Sequence, residues 1–102
     1  MINIRTIKNL KNEDGLTLKN GKKIKYKSGW QVATEGTETK DPREAMEAVK
    51  RYNGNCGIWY YENTWYIDLS HRVNTKKEAI EVGRAHGQIS VLCWRTMKCA
   101  YC

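Results

Sequence analysis

The sequence has no phenylalanine, a single proline, and no apolar run close to the roughly 20 residues that a transmembrane helix needs. Its first residues, MINIRTIK, are charged and alternate polar with apolar side chains, which is unlike an export signal. These absences predict a soluble protein that remains in the cytoplasm. With 102 residues, the chain is long enough for one domain with a buried core and too short for two.

The sequence also lacks the motifs of the common enzyme classes. It has no glycine-rich phosphate-binding loop and no dinucleotide-binding fingerprint. A hydrolase with a nucleophile needs a base and an orienting acid beside that nucleophile, and only Asp68, His71 and His86 could supply them. Neither histidine accompanies a nucleophile elbow. We therefore predict that the protein is not an enzyme and uses no cofactor.

The four cysteines allow two interpretations, and in a cytoplasmic protein their thiols are expected to be reduced. Only Cys99 and Cys102 have the spacing of a zinc ligand pair, so Cys56 or His86 would have to complete the four ligands of a structural site. Alternatively, the cysteines, Cys93 included, are small buried hydrophobic residues in strands. The second interpretation predicts no metal site.

Positive charge is concentrated near the amino terminus. The formal charge of +7 comes from 18 Lys and Arg against 11 Asp and Glu, and residues 1–29 hold eight of the former and two of the latter. Within them, Leu16 to Lys27 predicts a β-hairpin, because Asn20-Gly21 accepts the positive φ angles of a two-residue turn. The alternation of a strand would then align Lys23, Lys25 and Lys27 on one face.

Such a lysine stripe would attract an anion or an acidic protein surface. Edge-strand lysines also prevent aggregation, so the stripe could serve solubility alone. The candidate residues, called the ribbon lysines below, are Lys22, Lys23, Lys25 and Lys27.

The rest of the chain predicts alternating strands and helices. Asp41 and Thr75 are each followed three residues later by glutamate, which is typical of a capping box at a helix start. Gly83 lies within the second helix, where glycine is unfavourable, and this predicts a close helix–sheet contact. The predicted strands span 29–34, 55–61, 64–70 and 88–94, the helices begin at 41 and 75, and a short last strand covers 99–102.

This order predicts an α+β protein with a ferredoxin-like βαββαβ sheet that carries both helices on one face, preceded by a basic N-terminal β-hairpin. We expect a single domain over residues 1–102, in which an N-terminal ribbon, residues 1–28, precedes the βαββαβ core of residues 29–102.

Aromatic residues are concentrated in the predicted hairpin of residues 55–70. If Ile58 and Ile67 face the core, alternation directs Trp59, Tyr61 and Tyr66 to the other face. An open sheet face with aromatic side chains can stack nucleic-acid bases. Exposed aromatic patches also mark subunit interfaces, and a homo-oligomer is the second interpretation. Trp59 and Trp65 are the candidate base-stacking residues.

The stretch TKKEAIEVGRAHGQISVLCW, residues 75–94, resembles a segment of small bacteriophage counter-defence proteins. The nearest family is Thoeris anti-defence 1, whose members bind signal nucleotides of the cyclic ADP-ribose type without cleaving them. The resemblance covers the C-terminal third of the chain. It implies that Arg84 and Gln88 contact phosphate and ribose.

Three functional hypotheses follow. The first is a phage-type counter-defence accessory protein that sequesters an anionic signalling nucleotide in the host cytoplasm, with Lys or Arg on phosphate and Trp or Tyr on the base. The second is an anti-CRISPR-type inhibitor whose ribbon lysines occupy an acidic patch or nucleic-acid channel of a host defence effector. The third is a nucleic-acid-binding module that uses the ribbon lysines and the aromatic face.

Overall fold

The computed structural model describes residues 2–102, so Met1 of the predicted N-terminal ribbon lies outside the described residues. The described part contains three helices and seven strands, and the chain is an α+β protein, as predicted. The helices are α1 (Ile4–Lys8), α2 (Pro42–Arg51) and α3 (Lys76–Ala85). The strands are β1 (Gly15–Lys19), β2 (Lys22–Lys23), β3 (Trp30–Thr39), β4 (Cys56–Tyr61), β5 (Thr64–Val73), β6 (Ser90–Cys93) and β7 (Lys98–Tyr101).

The chain divides into two units, and the long strands β3 and β5 contribute residues to both. The first unit contains residues 2–24 and Gly36–Leu69, and the second contains Lys25–Glu35 and Ser70–Cys102. No helix among residues 2–102 is long and apolar enough to cross a lipid bilayer.

In the first unit the strand order is β2-β1-β4-β5-β3, and the pairs β2–β1, β1–β4 and β4–β5 are antiparallel. Its core packs α1 and α2 against the sheet. The buried side chains include Ile7 from α1, Val49 from α2, and Ile58 and Ile67 from the sheet. Burial of an aliphatic side chain of this size contributes about 1.5–3 kcal/mol, so these contacts are the main support of the unit.

Helix α1 is absent from the sequence prediction. The side chain of Asn3 accepts hydrogen bonds from the N–H groups of Arg5 and Thr6, at 3.0 and 3.3 Å, and so caps the helix. Five residues form too short a helix to be stable alone, because nucleation is costly. Burial of Ile7 in the core of the first unit supplies the missing stability.

The two predicted helix starts are confirmed, although their caps differ in detail. The Thr75 hydroxyl oxygen accepts a hydrogen bond from the Glu78 N–H at 3.2 Å. At α2, Asp41 accepts from the Arg43 N–H at 2.8 Å, but the Glu44 carboxylate accepts from the Thr39 hydroxyl at 2.6 Å rather than from the cap backbone. Glu44 bonds to Thr39 instead of the cap because β3 extends to Thr39, five residues beyond its predicted end.

In the second unit β6 lies between β3 and β7 and is antiparallel to both. The predicted last strand is therefore confirmed as β7. Val32, Ala79 and Val91 form the buried core beneath α3. A Cβ added at Gly83 would lie 2.5 Å from the Cys102 Sγ and 3.3 Å from Val91 Cγ1, so the predicted close approach at Gly83 is also confirmed.

The predicted lysine stripe is wrong. Asn20 and Gly21 form the expected turn with φ angles of 52° and 79°, but the returning strand β2 ends at Lys23. Lys25 and Lys27 lie in the irregular segment that follows and belong to the second unit, whereas Lys22 and Lys23 belong to the first. The ribbon lysines therefore do not form one strand face.

The irregular segment is held by Arg72 on β5. Its guanidinium donates to the Ser28 carbonyl oxygen at 3.1 Å and lies 5.3 Å from the centre of the Tyr26 ring. Tyr26 in turn contacts the buried Trp94 edge-on, with ring centres 5.5 Å apart. These contacts fix a non-strand conformation around Lys25 and Lys27, and no local sequence pattern predicts them.

Candidate nucleic-acid interface

The register of β4 and β5 assigns the aromatic residues to two faces of the sheet. Ile58 pairs with Ile67, and both are buried. Trp59 pairs with Tyr66 on the opposite face, where 44% of Trp59 remains exposed. The predicted outward direction of Trp59, Tyr61 and Tyr66 is confirmed, and these three residues are called the aromatic face below.

The rings of the aromatic face contact one another. Trp59 and Tyr61 are stacked, with ring centres 5.1 Å apart and planes 5° from parallel. Trp59 and Tyr66 have ring centres 5.3 Å apart and planes inclined by 36°. Such offset pairs contribute about 0.5–1.5 kcal/mol beyond their burial, so the rings keep their positions without a ligand. A preformed stack loses little conformational entropy when another aromatic group binds.

Two exposed lysines lie on the same side of the sheet as the aromatic face. Gly15 pairs with Trp59, and alternation along β1 puts Lys19 on the same side as Gly15. Lys19 pairs with Lys22 across the β1–β2 hairpin, and both are exposed. Lys19 lies four positions along β1 from Gly15, a distance of about 13 Å. Positive charge therefore flanks the aromatic face at one end.

Lys19 was missed by the sequence prediction, although alternation with Leu16 and Leu18 would have revealed its direction. Of the ribbon lysines, Lys22 shares this side of the sheet, whereas Lys23 pairs with the inward-facing Leu18. The charge at this end thus comes from one predicted residue and one unpredicted residue.

A carboxylate also lies on the side of the aromatic face. Asp68 pairs with Gly57 of β4, two residues along β5 from Tyr66. On its other side is Gly36 of β3, where an added Cβ would lie 2.7 Å from the Asp68 Oδ1. Partial burial raises the pKa of Asp68 above its ordinary value of 3.8. The Asp68 carboxylate therefore lies on a strand between Gly57 and Gly36, neither of which has a side chain.

Trp65 does not belong to the aromatic face, and its predicted stacking role is corrected. Only 8% of Trp65 is exposed, and its indole N–H donates to the Ile7 carbonyl oxygen at 3.0 Å within the core. Tyr60 packs beside it, with ring centres 4.7 Å apart. Trp65 and Ile67 are two residues apart on β5 and therefore share the inward face. Strand alternation alone would therefore have predicted that Trp65 is buried, like Ile67.

Arg84 and Gln88, the residues singled out by the resemblance, lie in the second unit. Arg84 is exposed in the last turn of α3, and the Gln88 N–H donates to the Gly83 carbonyl oxygen at 2.8 Å just after the helix. The second unit has eight Lys and Arg against three Asp and Glu, a formal charge of +5. Arg84 is thus part of a strongly basic unit, while Trp59 belongs to the first unit.

The cysteines differ in their environments. Burial, with a smaller contribution from the Asp68 charge, raises the pKa of the Cys56 thiol to about 11. Hydrogen bonds from the Thr96 side chain and backbone lower the pKa of Cys93. Within residues 2–102, no three His, Cys, Asp or Glu side chains are grouped so that they could hold a metal ion.

Comparison with protein-family models, with curated proteins and with solved structures finds no match to this chain.

Proposed function

We propose that this protein binds single-stranded nucleic acid without cleaving it, and that bases stack on the aromatic face. The observation that carries the proposal is the preformed stack of Trp59 on Tyr61, exposed on one side of the sheet. Base–aromatic stacking contributes about 1–3 kcal/mol per base and tolerates any base, because every base has a π-face. Lys19 and Lys22 supply the neighbouring cationic groups for phosphate.

The exposure of the aromatic face favours a strand over a small nucleotide. A small ligand is usually held in a concave pocket that covers most of its surface, whereas Trp59 is stacked on an open sheet. Sequestration of a signalling nucleotide in a host cytoplasm, by a phage counter-defence protein, is an alternative outcome of the test below, and its candidate residues Arg84 and Gln88 lie in the second unit. Inhibition of a defence effector is the other alternative.

We also propose that residues 29–102 form a ferredoxin-like βαββαβ core. Its support is the chain order β3-α2-β4-β5-α3-β6 together with the neighbours β4-β5-β3 in the first unit and β3-β6 in the second. In that arrangement the sheet side away from the helices is the surface on which bases are stacked in the RNA-recognition fold of the same strand order.

The test is fluorescence anisotropy with end-labelled single-stranded RNA and DNA oligonucleotides of mixed sequence, with cyclic ADP-ribose as an unlabelled competitor. Trp59→Ala removes the exposed stacking ring, and we expect a 5- to 150-fold weaker affinity, which corresponds to about 1–3 kcal/mol. Tyr101→Ala is the matched control, because Tyr101 is 80% exposed on β7 in the second unit. It should leave the affinity unchanged.

A second variant tests the phosphate contacts. Replacing Lys19 and Lys22 together with alanine should reduce the slope of log affinity against log salt by about 1.4, at about 0.7 per phosphate of a single strand. Absence of oligonucleotide binding, or equal affinities of the wild type and Trp59→Ala, would refute the proposal. Binding of cyclic ADP-ribose alone would replace it with nucleotide sequestration.

A further inference from the structure

The outer edge of strand β7 is free. Among residues 2–102, β7 pairs with β6 alone and is the last strand in the order β3-β6-β7. It contains one charged residue, Lys98, and no proline. By contrast β2, the strand that ends the order of the first unit, consists of two lysines, and lysines at an edge oppose pairing with another chain. The edge of β7 therefore lacks most of the charge that protects such an edge.

The hydrogen-bond ladder identifies the backbone groups at this edge. In an antiparallel strand, successive residues direct their N–H and C=O groups alternately to one neighbour and to the other. The Cys102 N–H donates to the carbonyl oxygen of Ile89, on the β6 side, at 3.0 Å. Ala100, two residues earlier, faces the same way. The N–H and C=O groups of Cys99 and Tyr101 therefore point to the free edge.

Large hydrophobic side chains are exposed at both ends of the β6–β7 hairpin. Tyr101 is 80% exposed, Ile89 just before β6 is 79% exposed, and Met97 just before β7 is 52% exposed. Of the exposed large hydrophobic residues in the described part of the chain, all except Trp59 lie on or beside this hairpin. Such a concentration is typical of an association surface.

We propose that two copies of this chain associate through their β7 strands, which pair antiparallel about a two-fold axis at Ala100. In this register Cys99 of each copy faces Tyr101 of the partner subunit, and their N–H and C=O groups form four hydrogen bonds. The two Ala100 residues face each other as a non-hydrogen-bonded pair. Side chains approach most closely at such a pair, and the small alanine side chain fits there.

The side chains and charges of β7 favour a second copy as the occupant. Antiparallel pairing brings Met97 of one copy to the same end of the combined sheet as Ile89 of the partner subunit, so the exposed hydrophobic residues approach one another. The two Lys98 residues are four positions apart along the paired strands, about 14 Å. This distance exceeds the Debye length of about 8 Å at physiological ionic strength. The edge therefore meets its own copy without a close pair of like charges.

Sedimentation equilibrium of the full chain under reducing conditions, at several protein and salt concentrations, measures the association. We expect the mass to rise with protein concentration from that of one chain toward that of two. The association should tighten as salt is raised, because each second unit has a formal charge of +5 and salt screens their repulsion. An acidic peptide on the same edge would show the opposite dependence on salt.

Two variants at one position test the backbone pairing. Tyr101→Pro removes the N–H at the free edge and leaves the ladder with β6 intact, and proline is tolerated at such an edge position. Tyr101→Ala is the matched control, because it removes the same ring and retains the N–H. The proline variant should associate about 5- to 150-fold more weakly than the alanine variant, since two of the four hydrogen bonds are lost. Circular dichroism checks that both variants are folded.

Hydrogen exchange of the wild type, measured residue by residue, requires no variant. The N–H groups of Cys99 and Tyr101 should become protected only as the protein concentration rises. The Ala100 N–H, which faces β6, should be protected at every concentration.

The mass of one chain at every concentration would overturn the proposal and leave the β7 edge to a strand of another protein. Equal association of Tyr101→Pro and Tyr101→Ala would also overturn it, as would exchange of Cys99 and Tyr101 that does not depend on concentration. A dimer that weakens as salt is raised would depend on opposite charges, and that result would equally contradict pairing through β7. None of these results bears on the proposed nucleic-acid binding, whose residues belong to the first unit.

Discussion

Replacement of Gly83 by alanine has two opposing effects of similar size on the free energy of unfolding. Alanine is about 1 kcal/mol more favourable than glycine within a helix. The new Cβ, however, would lie 2.5 Å from the Cys102 Sγ and 3.3 Å from Val91 Cγ1. Overpacking of a well-packed site costs about 1–3 kcal/mol. The Cys102 N–H donates to the Ile89 carbonyl oxygen at 3.0 Å, which limits how far Cys102 can withdraw.

We therefore expect Gly83→Ala to lower the free energy of unfolding by about 1 kcal/mol, from an overpacking cost of about 2 kcal/mol and a helix gain of about 1 kcal/mol. For a domain of this size, that corresponds to a fall of about 4–8 °C in Tm. In a Cys102→Ala background the sulfur is absent and the nearest remaining atom is 3.3 Å away. There the same substitution should be neutral or stabilising by up to about 1 kcal/mol.

Urea denaturation of the four proteins of this double-mutant cycle, followed by circular dichroism under reducing conditions, measures the coupling between residues 83 and 102. We expect a coupling of about 1–2 kcal/mol. If Gly83→Ala has the same effect in both backgrounds, the contact with the sulfur does not constrain the helix, and the explanation of Gly83 given above is wrong.

Two further predictions concern titratable groups. In the native protein at pH 7.5, the Cys93 thiol should react with a disulfide reagent well before Cys56, which should react only on unfolding, because Cys56 is buried with a pKa of about 11. Mass mapping of the labelled residues checks this, and early labelling of Cys56 would contradict it. The pKa of Asp68 is raised in the folded state, so the folded state binds the proton more tightly than the unfolded state. The contribution of Asp68 to stability therefore declines as the pH rises from about 3.8 through the folded-state pKa. In urea denaturation between pH 3.5 and 7, the free energy of unfolding of the wild type relative to that of Asp68→Asn should fall as the pH rises, and parallel curves would be inconsistent with desolvation of Asp68.

The elements that were predicted correctly depend on nearest neighbours along the chain. Asp41 and Thr75 begin helices because their side chains bond to N–H groups two or three residues away. Asn20-Gly21 forms a turn because both residues accept positive φ angles. The outward direction of Trp59, Tyr61 and Tyr66 follows from strand alternation once Ile58 is assigned to the core.

The features that the sequence did not predict depend on contacts between residues that are far apart in the chain. Helix α1 needs the burial of Ile7, and Trp65 is held by a hydrogen bond to a residue 58 positions earlier. Lys25 and Lys27 leave the hairpin because Arg72, 44 positions beyond Ser28, binds the segment between them and β3. No local pattern contains these contacts.

The α+β class, the helix starts, the turns and the outward aromatic residues can be read from the chain alone, because short-range hydrogen bonds and strand periodicity decide them. The β4–β5 register is local as well, since the two-residue turn Glu62-Asn63, with φ angles of 47° and 64°, fixes the pairing of Gly57 with Asp68 and of Trp59 with Tyr66. The pairing of β1 with β4 belongs to the fold alone, because Thr17 and Gly57 are 40 positions apart. The joint burial of Leu18, Cys56 and Ile58 sets this register, and a shift of one residue would direct Thr17 and Lys19 to the core instead of the side of Trp59.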